Sequence, residues 1–377
     1  MTSGDPRLAR VVLSRVGEPG DPRLTGLVAQ LGPVTVLTEL RRSGARGGLH
    51  DSLRARLAEA DPEADLVAAA RLGLRFVTPE DDEWPARWDD LAHVAPLHER
   101  GGVPVGVWAR GPLRLDEVAA GAVAVVGSRS ATDYGTRAAG EIGAAVAGAD
   151  RAVLSGAAFG IDQAAHRGAL AVDGPTVAVL ACGADRAYPT AHRRLLDAIA
   201  ERGLVVSEAA PGCAPTRIRF LARNRLIAAL GVGTVVVEAA FRSGALNTAH
   251  WAASLSRVLM GVPGPVTSAQ SEGVHRMVRT RDAVLVTCGA DALEAVGGAG
   301  EHLAGWISAP ASPRDALDLE QRLVLDAVPR RRPSTVAAIG RAAGVAPARV
   351  AIALDALSAR GLVEHSGDRW RQVVADD

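Results

Sequence analysis

The densest chemistry in this sequence lies in Arg217-Ile218-Arg219-Phe220-Leu221-Ala222-Arg223-Asn224-Arg225, where four arginines fall within nine positions and no acid interrupts them. Guanidinium forks grip phosphates through paired N–H donors. A ring among them offers a nucleobase a stacking surface, a contact that contributes roughly 1–3 kcal/mol. Phe220 supplies the ring and Asn224 adds a side-chain amide. The competing reading is a helix that packs Phe220, Leu221 and Ile227 inward and leaves its arginines in water. Both readings make the segment helical.

Three glycine-bearing turns accompany this cluster. Gly127-Ser128-Arg129 follows the apolar run Ala122–Val126 and combines close backbone approach, a hydroxyl and an arginine fork. A helix is expected to start near Gly135, with free amides that favour an anion. The second turn, Ser155-Gly156-Ala157-Ala158-Phe159-Gly160-Ile161-Asp162, follows Ala152–Leu154 and closes at His166. Asp162 and His166 share a helical face. Ser155 lies in no G-x-S-x-G elbow, so a network that fixes the loop is expected here rather than a catalytic triad. The third turn carries Ser243-Gly244 beyond Phe241-Arg242 and the run Thr234–Val237. Glu238, at the tip of that run, is either a catalytic acid or a partner that orients the arginines.

Several chemistries are excluded by what these turns lack. No G-x-G-x-x-G follows Val126 and no acid closes the second strand, so a dinucleotide site is not expected. Cys182, Cys213 and Cys288 form no C-x-x-C, which argues against a zinc site or a disulfide framework. All 42 basic residues are arginine, so no Schiff-base lysine and no P-loop lysine exists. No cofactor and no metal are therefore expected.

The elements that must hold these turns are legible in the hydropathy. Runs at Ala122–Val126, Ala152–Leu154, Thr176–Ala181, Leu204–Val206, Thr234–Val237, Arg257–Val262 and Val284–Val286 alternate with helical stretches. They are apolar throughout, as when helices cover both faces of a sheet. The expected fold class is α/β, with a doubly wound, mainly parallel sheet that binds ligands beyond its C-terminal strand ends. Residues 1–75 read as a helical module, with Leu8, Val11, Val12 and Val16 at helical spacing. The stretch from Phe76 through Pro79, Trp84-Pro85 and Trp88 reads as an irregular bridge into a strand near Val105–Trp108. Residues 291–315 read as a linker rich in Gly, Ala, Ser and Pro. Within 316–374, helices at Leu317–Val328, Pro333–Arg341 and Pro347–Arg360 and a hairpin around Ser366-Gly367-Asp368 outline a winged helix.

A length of 377 residues implies two or three domains, and 48% hydrophobic with 22% charged residues is a globular composition. The net charge of +0 means that nucleic-acid binding must come from a local cluster. From position 313 onward ten arginines meet nine acids, so the winged-helix outline favours protein contact over reading a duplex. Asp5, Arg7 and Arg10 stand where a signal peptide needs apolar residues, and no run reaches the ~18 apolar residues of a membrane span. A cytoplasmic protein with no membrane contact is expected.

Taken in order, these residues resemble the DNA-processing protein A family, DprA or Smf. The matching elements are Val126-Gly127-Ser128-Arg129, Ser155-Gly156 with Gly160-Ile161-Asp162 and His166, Tyr188-Pro189, and Ser207-Glu208 with Pro211-Gly212. They continue with Phe220, Arg223-Asn224-Arg225, Ser243-Gly244 and Val262-Pro263-Gly264. The resemblance covers about residues 76–290. It implies a Rossmann-like domain that binds single-stranded DNA, forms a homodimer, and loads the RecA recombinase during natural transformation or recombination. The DNA contacts it implies are Gly127, Ser128, Arg129, Phe220, Arg223, Asn224, Arg225, Ser243 and Gly244. The local reading adds Ser155, Gly156, Gly160, Arg217 and Arg219. The family often uses lysine among its contacts, and here arginine must serve.

Two other functions remain to be weighed. Gly231-Val232-Gly233-Thr234 followed by Glu238 approximates the G-G-x-G-T-x-x-E of nucleoside-monophosphate phosphoribohydrolases, with the acid one residue too distant. That alternative is a nucleotide or nucleotide-sugar hydrolase on the same sheet. A regulator of duplex DNA, acting through the C-terminal outline, is disfavoured by the neutral charge there.

Overall fold

The computed structural model describes residues 4–42, 56–58, 60–280, 282–302, 314 and 316–373. The chain divides into two compact units, Met1–Ala304 and Gly305–Asp377.

The first unit is built on a nine-stranded sheet. Its strands are β1 (Leu74–Val77), β2 (Val107–Arg110), β3 (Val123–Val126), β4 (Val153–Ser155), β5 (Thr176–Leu180), β6 (Leu204–Ser207), β7 (Gly233–Val236), β8 (Val258–Gly261) and β9 (Val284–Leu285). Their spatial order is β1-β2-β6-β5-β4-β3-β7-β8-β9. All pairs from β6 to β9 are parallel, while β2 runs antiparallel to β6 and β1 antiparallel to β2. The sheet is therefore doubly wound and mainly parallel, as the apolar runs implied. Every residue of β3 through β7 is buried. The two-residue period of a strand sends alternate side chains to opposite faces. Val123 and Val125 accordingly join one core with the Asp133–Gly148 and Ile161–Ala171 helices. Ala124 and Val126 join the other, with the Arg217–Leu230 and Ala245–Ser254 helices.

The chain winds outward from β3 to β6, then returns to lay β7 against the other side of β3. Strand order reverses between β3 and β7, and at such a point the loops leaving the strands part to open a crevice. Gly127-Ser128-Arg129 leaves β3 and Glu238 through Gly244 leaves β7, so the topology delivers both turns to that crevice.

The N-terminal helices Pro6–Val16, Pro22–Leu31, Pro33–Arg42 and Pro62–Arg71 each begin with a proline. Asp5, Asp21 and Asp61 cap three of them. Proline at the first helical position loses no bond there, and an aspartate cap satisfies a free amide. The first three pack Leu13, Val16, Leu24, Val36, Leu37 and Leu40 into a core that Val105 joins, while Ala69 of the fourth packs with Phe76 and Trp108. Arg15 ties the first to Asp65 of the last at 2.5 Å.

Two local expectations are corrected. The bridge around Phe76 begins as strand β1, with the Phe76 ring 4.6 Å from Trp108 of β2. The strand has only four residues and Pro79 follows closely, so its period was hidden. The expected linker overlaps a helix, Gly289–Val296, that buries Ala292 and Leu293. Its alanines imitate a linker composition, although Ala292 packs into the sheet's core. Residues 303–313 and 315 of that expected linker lie outside the described residues.

The second unit contains helices Leu319–Ala327, Val336–Ala343 and Pro347–Ala359. An antiparallel sheet orders β10 (Ser334–Thr335), β12 (Arg369–Gln372) and β11 (Val363–Ser366). Val324, Leu325, Ile339, Val350, Leu354 and Leu357 form its core. Among the described residues no single helix is long and apolar enough to cross a membrane.

Candidate nucleic-acid interface

A cleft of about 890 Å³ opens over the C-terminal ends of β3 and β7. Arg129, Arg217, Arg223 and Arg242 line it, with Asp162 the one carboxylate among the lining residues. One wall is the Arg217–Leu230 helix, capped by the Thr216 side chain, which accepts from the Arg219 amide. The 3.6-residue turn brings Arg217, Phe220, Leu221, Arg223, Asn224 and Ile227 to the cleft side of this helix.

Phe220 sits within a stack of charge and ring. The Arg129 guanidinium lies 4.6 Å from its centroid and that of Arg223 at 5.9 Å. Tyr188 approaches it at 5.7 Å, tilted by 55°. A guanidinium over a ring face is attracted by the ring's quadrupole and is held in place without losing its outward N–H donors. The turn after β3 and the wall helix are thereby locked together around one side chain.

Arg223 is the buried member, only 6% exposed. It donates to the Val179 carbonyl at 3.0 Å, and its Nε finds no acceptor among the described residues. Burial lowers its pKa to about 10; the Asp162 charge opposes the shift and that of Arg129 adds to it. A buried guanidinium with an open donor is a seat for an anionic oxygen. Gly156 makes the seat possible, because a Cβ there would lie 1.3 Å from Arg223 Nη1.

Asp162 accepts from the amides of Gly156 and Ala158 at 3.2 and 3.3 Å. Burial raises its pKa despite the pull of Arg223 and those amides. It thus fixes the loop after β4, as the expected network required. His166 is fully buried, and its Nδ1 meets Thr176 Oγ1 at 2.8 Å. Thr176 Oγ1 donates to the Val153 carbonyl, so Nδ1 must donate to Thr176. Burial, with the charges of Arg223 and His192, lowers the His166 pKa to about 3. Ser155 is also fully buried and donates to the Val125 carbonyl at 2.7 Å. Among the described residues no hydrogen bond joins His166 to Asp162 or Ser155, so the three side chains make no relay.

The remaining residues singled out in the sequence divide sharply. Gly127, Asn224, Ser243 and Gly244 line the cleft. Asn224 donates to Asn247 Oδ1 at 3.1 Å, which ties the wall helix to the helix that follows Gly244. Arg225 is wholly buried on the other side of the wall helix. It forms a bidentate pair with Glu208 at 2.7 and 2.8 Å and donates to the Gly102 carbonyl. Arg219 is engaged at 3.0 Å by Glu18, in the turn between the first two N-terminal helices. Ser128 accepts from the Ser130 amide at 3.2 Å within its own turn. Gly160 holds a φ of 76° against the Ser128 carbonyl. Arg225, Arg219, Ser128, Ser155, Gly156 and Gly160 therefore support the rim and do not line it.

Glu238 is 2% exposed and does not face the cleft. Its carboxylate accepts from the Thr132 amide at 3.0 Å and from the Thr132 hydroxyl. It lies so close to Gly135 that a Cβ there would meet it at 2.3 Å. The helix expected near Gly135 starts at Asp133, and its positive end is occupied by this carboxylate, not left open for a ligand.

Sequence reasoning left Tyr188, Phe241, Arg242, His98 and His250 out of the site, although all five line the cleft. The chain carries only four Phe and two Tyr, so the scarcity of rings was the signal available for Tyr188 and Phe241.

Residues 75–297 match the family described as DNA recombination-mediator protein A. The putative DNA processing protein DprA of Mycobacterium tuberculosis (strain H37Rv) is 46% identical over 362 residues, which cover 95% of this chain and 92% of that protein. The structure of DprA from Streptococcus pneumoniae superimposes with a TM-score of 0.61 at 30% identity, over 75% of this chain and 95% of that one. DprA from Helicobacter pylori, whose structure is described for its single-stranded DNA binding mode, gives a TM-score of 0.50 at 25% identity, over 58% and 94%. With the sheet order, the arginine-lined crevice and a match across more than half its length, the chain belongs to the DNA recombination-mediator protein A family.

Proposed function

We propose that the cleft binds single-stranded DNA and that the protein acts as a recombination mediator without catalysing a reaction. The observation that carries this reading is the Arg129–Phe220–Tyr188 stack at the mouth of an arginine-lined cleft. Phosphates would meet Arg129, Arg217, Arg223 and Arg242, with Asn224, Ser243 and Gly244 supplying neutral donors and close approach. The Helicobacter pylori relative described as binding single-stranded DNA supports the same use here. Stacking on rings tolerates any base, so sequence preference should be weak.

In this reading the DNA-bound protein delivers its strand to the RecA recombinase and works as a homodimer through the Rossmann-like domain, in the cytoplasm. We read the chain as an N-terminal helical module, a DNA-binding core to about residue 290, a connecting stretch, and a winged-helix domain that contacts protein. The three-helix, three-strand make-up of the second unit supports that last assignment. The hydrolase alternative loses its acid, since the Glu238 carboxylate is buried on Thr132.

The test is a titration with single-stranded and duplex oligonucleotides at two salt concentrations. Tighter single-strand binding that weakens steeply with salt is expected. Equal affinity for both forms would sink the reading, and release of free base from nucleoside monophosphates would replace it with the hydrolase.

A further inference from the structure

Phe241 is the most exposed phenylalanine among the large hydrophobic residues, at 56%, and it stands on the lining of the cleft. Nothing in the Phe220 stack accounts for it. It leaves the sheet on the loop after β7, whereas Tyr188 follows β5. Between β5 and β7 lie β4 and β3, so the two loops spring from strands three spacings apart, roughly 14 Å at ~4.8 Å per spacing. One side of the Phe241 ring carries the guanidinium of Arg276, 5.2 Å from the centroid. Arg276 itself is exposed, on the Glu272–Arg279 helix.

Burying a phenylalanine in a core is favourable by about 1.5–3 kcal/mol, so an open ring on a ligand cleft forgoes that gain. A guanidinium behind such a ring fixes its attitude and adds positive charge beside it, as with Arg129 and Phe220. The pairing of ring and guanidinium thus recurs at a second ring of the cleft lining, built from unrelated segments.

We propose that Phe241, backed by Arg276, is a second base-stacking platform that gives the cleft a minimum ligand length. The inference rests on the single-stranded DNA reading of the cleft and deepens it. Each nucleotide advances at least ~3.4 Å, so roughly 14 Å spans no more than about four steps. An oligonucleotide of one or two residues reaches one platform; one of several residues reaches both, and gains the second stack.

The experiment measures affinity for oligo-dT of two, four, eight and sixteen residues with the parent protein and with Phe241→Ala, Phe241→Leu, Phe241→Trp and Arg129→Ala. Phe241→Ala and Phe241→Leu should weaken the longer ligands by roughly five- to a hundredfold, as the loss of one stack implies, and leave the dinucleotide unchanged. Phe241→Trp should keep full affinity. A single abasic nucleotide should cost the parent more than it costs Phe241→Ala at one position along the octamer, since both remove the same contact. If Phe241→Ala and Phe241→Leu match the parent at every length while Arg129→Ala weakens binding, the second platform is wrong and the cleft reading stands. Should Arg129→Ala also match the parent, both fall.

Discussion

Arg225 and Glu208 face each other through two hydrogen bonds of 2.7 and 2.8 Å, in a pocket that leaves the arginine no exposed surface. Two positions earlier, Arg223 turns toward the cleft. Residues two positions apart in an α-helix are separated by about 200° around its axis, so these two arginines serve opposite faces. The Glu208 pair also approaches Gly20, in the turn between the first two N-terminal helices, whose amide donates to Glu208 at 3.3 Å. This pair seats the wall helix on its scaffold.

Breaking that pair should therefore unfold the protein without retuning its ligand. Arg225→Met leaves Glu208 buried and unpaired, which typically costs 3–5 kcal/mol. Urea denaturation should show that loss, while the fraction still folded at low temperature binds single-stranded oligonucleotide within about twofold of the parent. Weakened binding by a fully folded variant would mean that Arg225 reaches the DNA.

Arg129 should behave in the opposite way. Its guanidinium stacks on Phe220, and no ion pair holds it among the described residues. Arg129→Ala is expected to leave the unfolding midpoint nearly unchanged and to weaken single-strand binding by roughly tenfold. The slope of log affinity against log salt should fall by about one unit, as for the loss of one phosphate contact. An unchanged slope argues that Arg129 holds the ring and touches no phosphate.

Acid should destabilise the first unit through His166. Its folded pKa, about 3, lies below the ordinary 6.5, so between those values the unfolded chain binds the extra proton. The stabilisation is complete above about pH 6.5 and is lost progressively as pH falls toward 3. At pH 4.5 the loss amounts to roughly 2–3 kcal/mol. His166→Gln keeps a donor toward Thr176 without a titrating ring, so its stability should fall less between pH 7.5 and 4.5. Parallel pH profiles for variant and parent would contradict this assignment.

Asp162 should matter to both stability and binding. Asp162→Ala strips the Gly156 and Ala158 amides of their acceptor and leaves the buried Arg223 without its nearest opposite charge. A cost of about 2–4 kcal/mol is expected in chemical denaturation. Asp162→Asn retains an acceptor oxygen and should recover part of it. Full stability in the alanine variant would show that the loop after β4 needs no anchor.

Much of the fold was written in hydropathy that a reader of the chain can see. Val123–Val126 and Val177–Leu180 are apolar at every position because helices cover both faces, and that pattern implies parallel strands. The site was legible where its residues share one segment, as Phe220 and Arg223 do. It was hidden where partners are distant in sequence: Phe241 and Arg276 meet across 35 positions, and Arg219 finds Glu18 across 201. Helical periodicity separates Arg223 from Arg225 but cannot say which face meets solvent. Only the burial of Glu208 decides that.

The Thr132 amide and Glu238 carry one last implication. The seat where many sheets of this kind hold a mononucleotide is already taken by a side chain of the protein itself, tethered and never diluted. Free nucleoside phosphates, abundant in any cell, would have to evict a covalently attached rival. A long polymer bound at the arginine rim, as proposed, would face no such competitor and could stay in place amid a crowd of monomers.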